Sequence, residues 1–130
     1  MVSIDTNIAV RLLVNDDPGQ TKSAAALFKN NRVFITKTVV LETEWILRGV
    51  YKLDTKHVNS ALTALLSLEN VQVEDSVVSF SALEYQAQGM DFADALHLAS
   101  SQRAEDFATF DSRLRVRATK LKIQPHVISP

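Results

Sequence analysis

The sequence predicts a layered α/β fold: a mainly parallel sheet of four to five strands with helices on both faces. Two observations lead to it. Short apolar runs at Val2–Ile4, Val33–Ile35, Val71–Val73 and Phe107–Thr109 alternate with longer stretches of helical periodicity, the pattern of parallel strands joined by helical crossovers. Two apolar runs also stop at an acid just before a helical stretch, Ile4-Asp5 and Phe110-Asp111. Open α/β sheets bind their ligands at the carboxyl ends of their strands.

Each element follows from local chemistry. After the strand Val2–Ile4, Ile8–Val14 has the pattern of a short helix. Asp17-Pro18 is a helix start, with Asp as N-cap and Pro at the first helical position, and Thr21–Phe28 continues it. Strand Val33–Ile35 leads to a helix over Val39–Tyr51. Asp54 or Thr55 caps a fourth helix running to about Leu68, ahead of strand Val71–Val73. Val77–Gln88 is a helix stopped at Gly89, and Asp91 opens an Ala- and Leu-rich helix to about Arg103. Strand Phe107–Thr109, a helix over Asp111–Leu121 and an edge-like segment at Pro125–Ile128 complete the chain. With three glycines, three prolines and no repeat, residues 1–130 read as one domain.

Apolar residues make up 46% of the chain, enough for a substantial core. The absence of cysteine excludes disulfides and thiolate metal sites. No apolar run has the length of a membrane span, and the N-terminus lacks the features of a signal peptide, so a cytoplasmic protein without membrane contact is expected. The net charge of −1 is uninformative, but residues 112–130 hold Arg113, Arg115, Arg117, Lys120 and Lys122 and no acid. They form either a solvated helix face or a phosphate contact. Arg113 and Arg117, four apart, can share one face.

Four carboxylates carry the chemical signal. Asp5 and Asp111 end strands, and each would otherwise serve as an N-cap. Glu42 lies among apolar residues of its helix and is expected at an inward or rim position, with Glu44 as the solvated neighbour. Asp91 suits an N-cap, whereas Asp94, three further along an apolar helix, needs a partner. His97 reads as a core residue. Four acids at one sheet edge repel one another and suit Mg²⁺ or Mn²⁺ better than zinc. No glycine-rich phosphate loop and no GxSxG motif is present. The same acids would also serve a non-catalytic module that attracts a basic partner, or a metal-dependent DNA nuclease or phosphatase.

The ordered set Asp5-Thr6-Asn7, Glu42-Thr43-Glu44-Trp45-Ile46-Leu47-Arg48, Asp91-Phe92-Ala93-Asp94-Ala95-Leu96-His97-Leu98-Ala99 and Ala108-Thr109-Phe110-Asp111 resembles the PIN domain, and more narrowly the VapC toxins of bacterial toxin–antitoxin pairs. The resemblance implies a three-layer α/β/α fold and a Mg²⁺- or Mn²⁺-dependent endoribonuclease. Asp5, Glu42, Asp94 and Asp111 would form its acidic site, Asp91 would be a fifth contributor, and the hydroxyls of Thr6 and Thr109 would be supports. It also implies a homodimer, an RNA substrate (especially tRNA) and a VapB-like antitoxin. Trp45, Ile46 and Leu47 put more apolar bulk beside Glu42 than one helix face normally hides. Trp45 and Ile46 are therefore expected to line a groove for the antitoxin, with a core position for Trp45 as the alternative.

Overall fold

The computed structural model describes residues 1–130. Five strands and seven helices alternate: β1 (Val2–Ser3), α1 (Thr6–Leu13), α2 (Pro18–Asn30), β2 (Val33–Ile35), α3 (Lys37–Gly49), α4 (Thr55–Leu66), β3 (Val71–Val73), α5 (Ser76–Ala87), α6 (Phe92–Ala99), β4 (Asp106–Ala108), α7 (Ser112–Lys120) and β5 (His126–Ile128). The result is a three-layer α/β/α fold in which every strand pair is parallel.

The four expected strands and the edge-like segment all form strands, but they divide into two pieces. One piece has the order β1-β2-β3 and the other pairs β4 with β5. Val2 and Ser3 register with Val33 and Phe34, and Val33–Ile35 with Val71–Val73. Asp106–Ala108 register with His126–Ile128, so the segment expected at the edge is a true parallel strand. Strand β1 is only two residues long, which leaves little backbone for a ladder on its second edge. Helix α6 ends at Ala99, where Ser100 caps it, short of the expected Arg103.

Acidic side chains start most of the helices. Asp5, Asp17, Asp54, Asp91 and Asp111 each accept a backbone N–H from the first turn of α1, α2, α4, α6 and α7, which satisfies donors that the helix itself cannot. Gly89 turns the chain between α5 and α6 with φ +103, a conformation that favours glycine.

One cluster of 25 buried residues forms the core. Ile35, Leu47, Leu62, Phe92 and Leu98 are its largest fully enclosed apolar side chains, each worth about 2–3 kcal/mol by burial. Helix α3 is central: it packs against α1, α4 and α6. No helix is long and apolar enough to cross a membrane.

Candidate active site

The first part of the site forms where β1 gives way to α1. The exposed Asp5 carboxylate accepts Ile8 N–H at 3.2 Å, capping α1. The next residue, Thr6, is buried, and its hydroxyl donates to Glu42 Oε1 on α3. Thr6 therefore fixes the direction of Glu42. Asp5, Thr6, Asn7, Thr38, Val39, Glu42 and Ile46 line an open cleft of ≈ 440 Å³.

The second part forms around the start of α6. Asp91 Oδ2 accepts Asp94 N–H at 3.2 Å. Asp94 is half-buried. Its carboxyl is held above its ordinary value, first by burial and then by the charges of Asp91 and Asp111, with His97 opposing. Asp111 is exposed and accepts Arg113 N–H at 2.9 Å and Leu114 N–H at 3.2 Å. Thr109 braces the approach to it: its hydroxyl accepts Asp111 N–H at 3.0 Å, and its carbonyl accepts Arg115 Nη1 at 2.9 Å.

Helices α3 and α6 connect the two parts. Glu42 and Ala93, the residue before Asp94, line a shared cleft of ≈ 440 Å³ with Thr38, Leu41, Glu44, Trp45 and Arg48. The structure thus brings Asp5 to Glu42, and Asp94 to Asp91 and Asp111. It closes no group of three or more acids around one ion position. None of these five acids forms a salt bridge. As hard oxygen donors without cationic partners they fit a Mg²⁺- or Mn²⁺-type ion chemically, but as two separate groups rather than a single cage.

The positions of several expected residues differ from their sequence reading. Glu42 is exposed, whereas Glu44 is 1% exposed and is the buried member of the pair. The cause is the stripe Val40, Thr43, Glu44 and Leu47, spaced i, i+3, i+4, i+7, which faces the interior. Arg48 compensates the Glu44 charge through Nε at 2.9 Å and Nη2 at 3.3 Å. The hydrogen bond to Glu44, then the charges of Glu44 and Asp91, raise the Arg48 guanidinium further above its ordinary value, against some desolvation. Gln86 Nε2 donates to Glu44 Oε2 at 3.2 Å, and Asn59 Nδ2 donates to Gln86 Oε1 at 2.9 Å. This network of α3, α4 and α5 was not anticipated; the spacing of Glu44 was its only signal. His97 is exposed and not in the core, because it lies opposite the stripe of Phe92, Ala95, Leu96 and Ala99 that α6 buries. Trp45 is 57% exposed, which excludes the core alternative, and Ile46 is half-buried beside it. Arg113 and Arg117 share a groove with Lys120, Val116 and Gln88.

Residues 2–120 match the family model of the PIN domain. The chain belongs to the PIN-domain family. All four principal acids of this PIN domain, Asp5, Glu42, Asp94 and Asp111, fall inside the matched span. Among solved structures, the PIN domain is similar to the crystal structure of Mycobacterium tuberculosis VapC20, a Sarcin-Ricin loop cleaving toxin. The identity is 18%, over 96% of this chain and 98% of that chain, with a TM-score of 0.45. No curated protein matches the chain.

Proposed function

We propose that this PIN domain is a divalent-metal-dependent endoribonuclease acting as the toxin of a toxin–antitoxin pair. One observation carries the reading: five acids within the family match form no salt bridge, and the carboxyl of one of them, Asp94, is raised first by burial and then by the charges of Asp91 and Asp111. A fold keeps such a cluster at a cost, and a bound cation offsets it.

Asp5 and Glu42 from one part of the site, and Asp94 and Asp111 from the other, would hold Mg²⁺ or Mn²⁺, with Asp91 contributing. When bound, such an ion would lower the pKa of a coordinated water and offset charge on the scissile phosphate. The chain's own groups set the geometry. The Thr6 hydroxyl orients Glu42, the first turn of α1 holds Asp5, and Thr109 holds the turn that presents Asp111. Arg113 and Arg117 would contact the phosphate backbone. In-line attack by water leaves a 5′-phosphate and a 3′-hydroxyl. The substrate class is structured RNA, tRNA foremost. A VapB-like antitoxin would cover the Trp45–Ile46 surface, and the active form would be a homodimer in the cytoplasm.

The test is RNA cleavage by the purified chain, followed by sequencing of the ends. EDTA is expected to abolish cleavage and Mg²⁺ or Mn²⁺ to restore it, while Asp94→Asn lowers the rate at least 100-fold at full metal. Cleavage in EDTA, or an Asp94→Asn rate within threefold of wild type, rejects the mechanism. Normal growth of cells holding soluble wild-type protein rejects the toxin role.

A further inference from the structure

Phe110 stands out from every other large apolar side chain: it is 87% exposed, the highest value among them. It does not hang from a loose loop. Thr109 N donates to Ile128 O at 2.9 Å, tying the preceding residue to strand β5. Arg115 Nη1 donates to Thr109 O at 2.9 Å, and Asp111 N donates to Thr109 Oγ1 at 3.0 Å. On the other side, Asp111 is fixed as the cap of α7. The backbone on both sides of the ring is pinned while the ring itself points into solvent. Two residues further along the chain, Ser112 opens α7, and Ser112, Arg113, Arg117 and Lys120 line a groove of ≈ 420 Å³.

We infer that Phe110 is a stacking platform for an unpaired base of the RNA, beside the phosphate that enters the acidic site. This rests on the nuclease reading and adds to it a residue that selects single-stranded or looped substrate. The charge pattern favours this occupant. An exposed aromatic ring on the turn that leads into the helix of a basic groove matches a flexible strand, whose phosphates take the cations and whose bases offer a π-face. A duplex keeps its bases stacked internally and gains nothing from the ring. Since the turn is already fixed, stacking costs little backbone ordering. The ring touches no reacting atom, so its role is in positioning.

The test compares wild type, Phe110→Ala and Phe110→Trp on one RNA oligonucleotide, single-stranded or annealed to its complement. For the single strand, Phe110→Ala is expected to raise KM about tenfold with kcat within twofold. Phe110→Trp should restore KM, and cleavage of the duplex should not distinguish the three proteins. Binding is read separately, without divalent cation, by quenching of a 2-aminopurine placed in the oligonucleotide. Equal quenching by wild type and Phe110→Ala overturns the inference. An equal KM for the two, or a KM change that is the same on the duplex, also overturns it. So does a dimer seen by sedimentation that Phe110→Ala dissolves, since that assigns the ring to a contact between copies. A wild type that quenches but does not cleave refutes the nuclease reading alone.

Discussion

Asp5 and Asp111 each cap a helix and are each proposed to hold the cation, and the two roles are separable by substitution. Both cap helices through a side-chain oxygen, a role that asparagine fills equally well. Only the carboxylate can neutralise a cation. Asp5→Asn and Asp111→Asn are therefore expected to melt within about 1 °C of wild type, while Asp5→Ala and Asp111→Ala lose about 1 kcal/mol, or about 4 °C. All four variants should lose RNA cleavage. Calorimetry beside a cleavage assay checks this, and an active Asn variant would reduce that acid to a cap. Asp94 differs, because its carboxyl is raised from the ordinary 3.8 by burial and by Asp91 and Asp111. A raised carboxyl penalises the folded state once it ionises. The penalty is full at neutral pH and vanishes as the pH falls below 3.8. In metal-free buffer Asp94→Asn is thus expected to raise Tm at pH 7, with the gain shrinking toward pH 4. Millimolar Mg²⁺ should raise the wild-type Tm and leave that of the variant unchanged. Melting curves over this pH range, with and without Mg²⁺, decide the matter.

Helix α3 shows what two faces of one element can do. The stripe Val40, Thr43, Glu44 and Leu47 is buried, while Thr38, Glu42 and Ile46 line the cleft with Asp5. Glu44 is buried with only Arg48 to balance its charge. Arg48→Ala is expected to cost about 2–3 kcal/mol, less than the full penalty of breaking a buried pair, because Arg48 is 39% exposed and water replaces part of its role. Arg48→Ala combined with Glu44→Gln should recover more than half of that loss, since the stranded charge is removed. Urea titration of both variants measures it, and a single-variant loss under 0.5 kcal/mol would place Glu44 outside the core network. The same helix shows how far the sequence was legible. Starts such as Asp17-Pro18 and the stop at Gly89 are local chemistry and were readable directly. The four candidate acids stand out in the sequence because each follows a strand or sits on an apolar helix. Which of Glu42 and Glu44 turns inward depends on where α4 and α5 pack, since their Asn59 and Gln86 complete the hydrogen bonds that allow a buried glutamate. Along α3 itself only the spacing of Glu44 with Val40, Thr43 and Leu47 points inward, and the residues that complete its hydrogen bonds lie outside that window. The division of the strands into two pieces was likewise hidden, because pairing is a long-range property that apolar runs do not encode.

At the scale of the molecule, the apolar core is satisfied while its surface is not. The core absorbs Leu47 and the inner side of α3, yet Trp45 and Val50 on the same helix region stay more than half exposed. Leu41, Trp45 and Ala93 give the α3–α6 cleft an apolar wall, and Glu42 stands at its edge. An amphipathic segment laying apolar side chains on Trp45 would carry a basic residue within reach of unpaired acids, where a charge-assisted hydrogen bond is strong. One partner chemistry would thus suit both halves of the cleft, apolar contact for affinity and a cation for inhibition. Trp45 is the chain's single tryptophan, so it reports directly on that contact. The free protein is expected to fluoresce as a solvent-exposed indole and to shift to the blue on adding the proposed antitoxin partner. Trp45→Ala should weaken the complex by about 30-fold or more, as truncation of a central aromatic anchor does, while cleavage by the free protein stays within twofold of wild type. Glu42→Gln should weaken the complex less and make the remaining affinity less dependent on salt. Unchanged tryptophan emission in a complex that inhibits cleavage would put the antitoxin elsewhere on the molecule and leave the Trp45 surface without this partner.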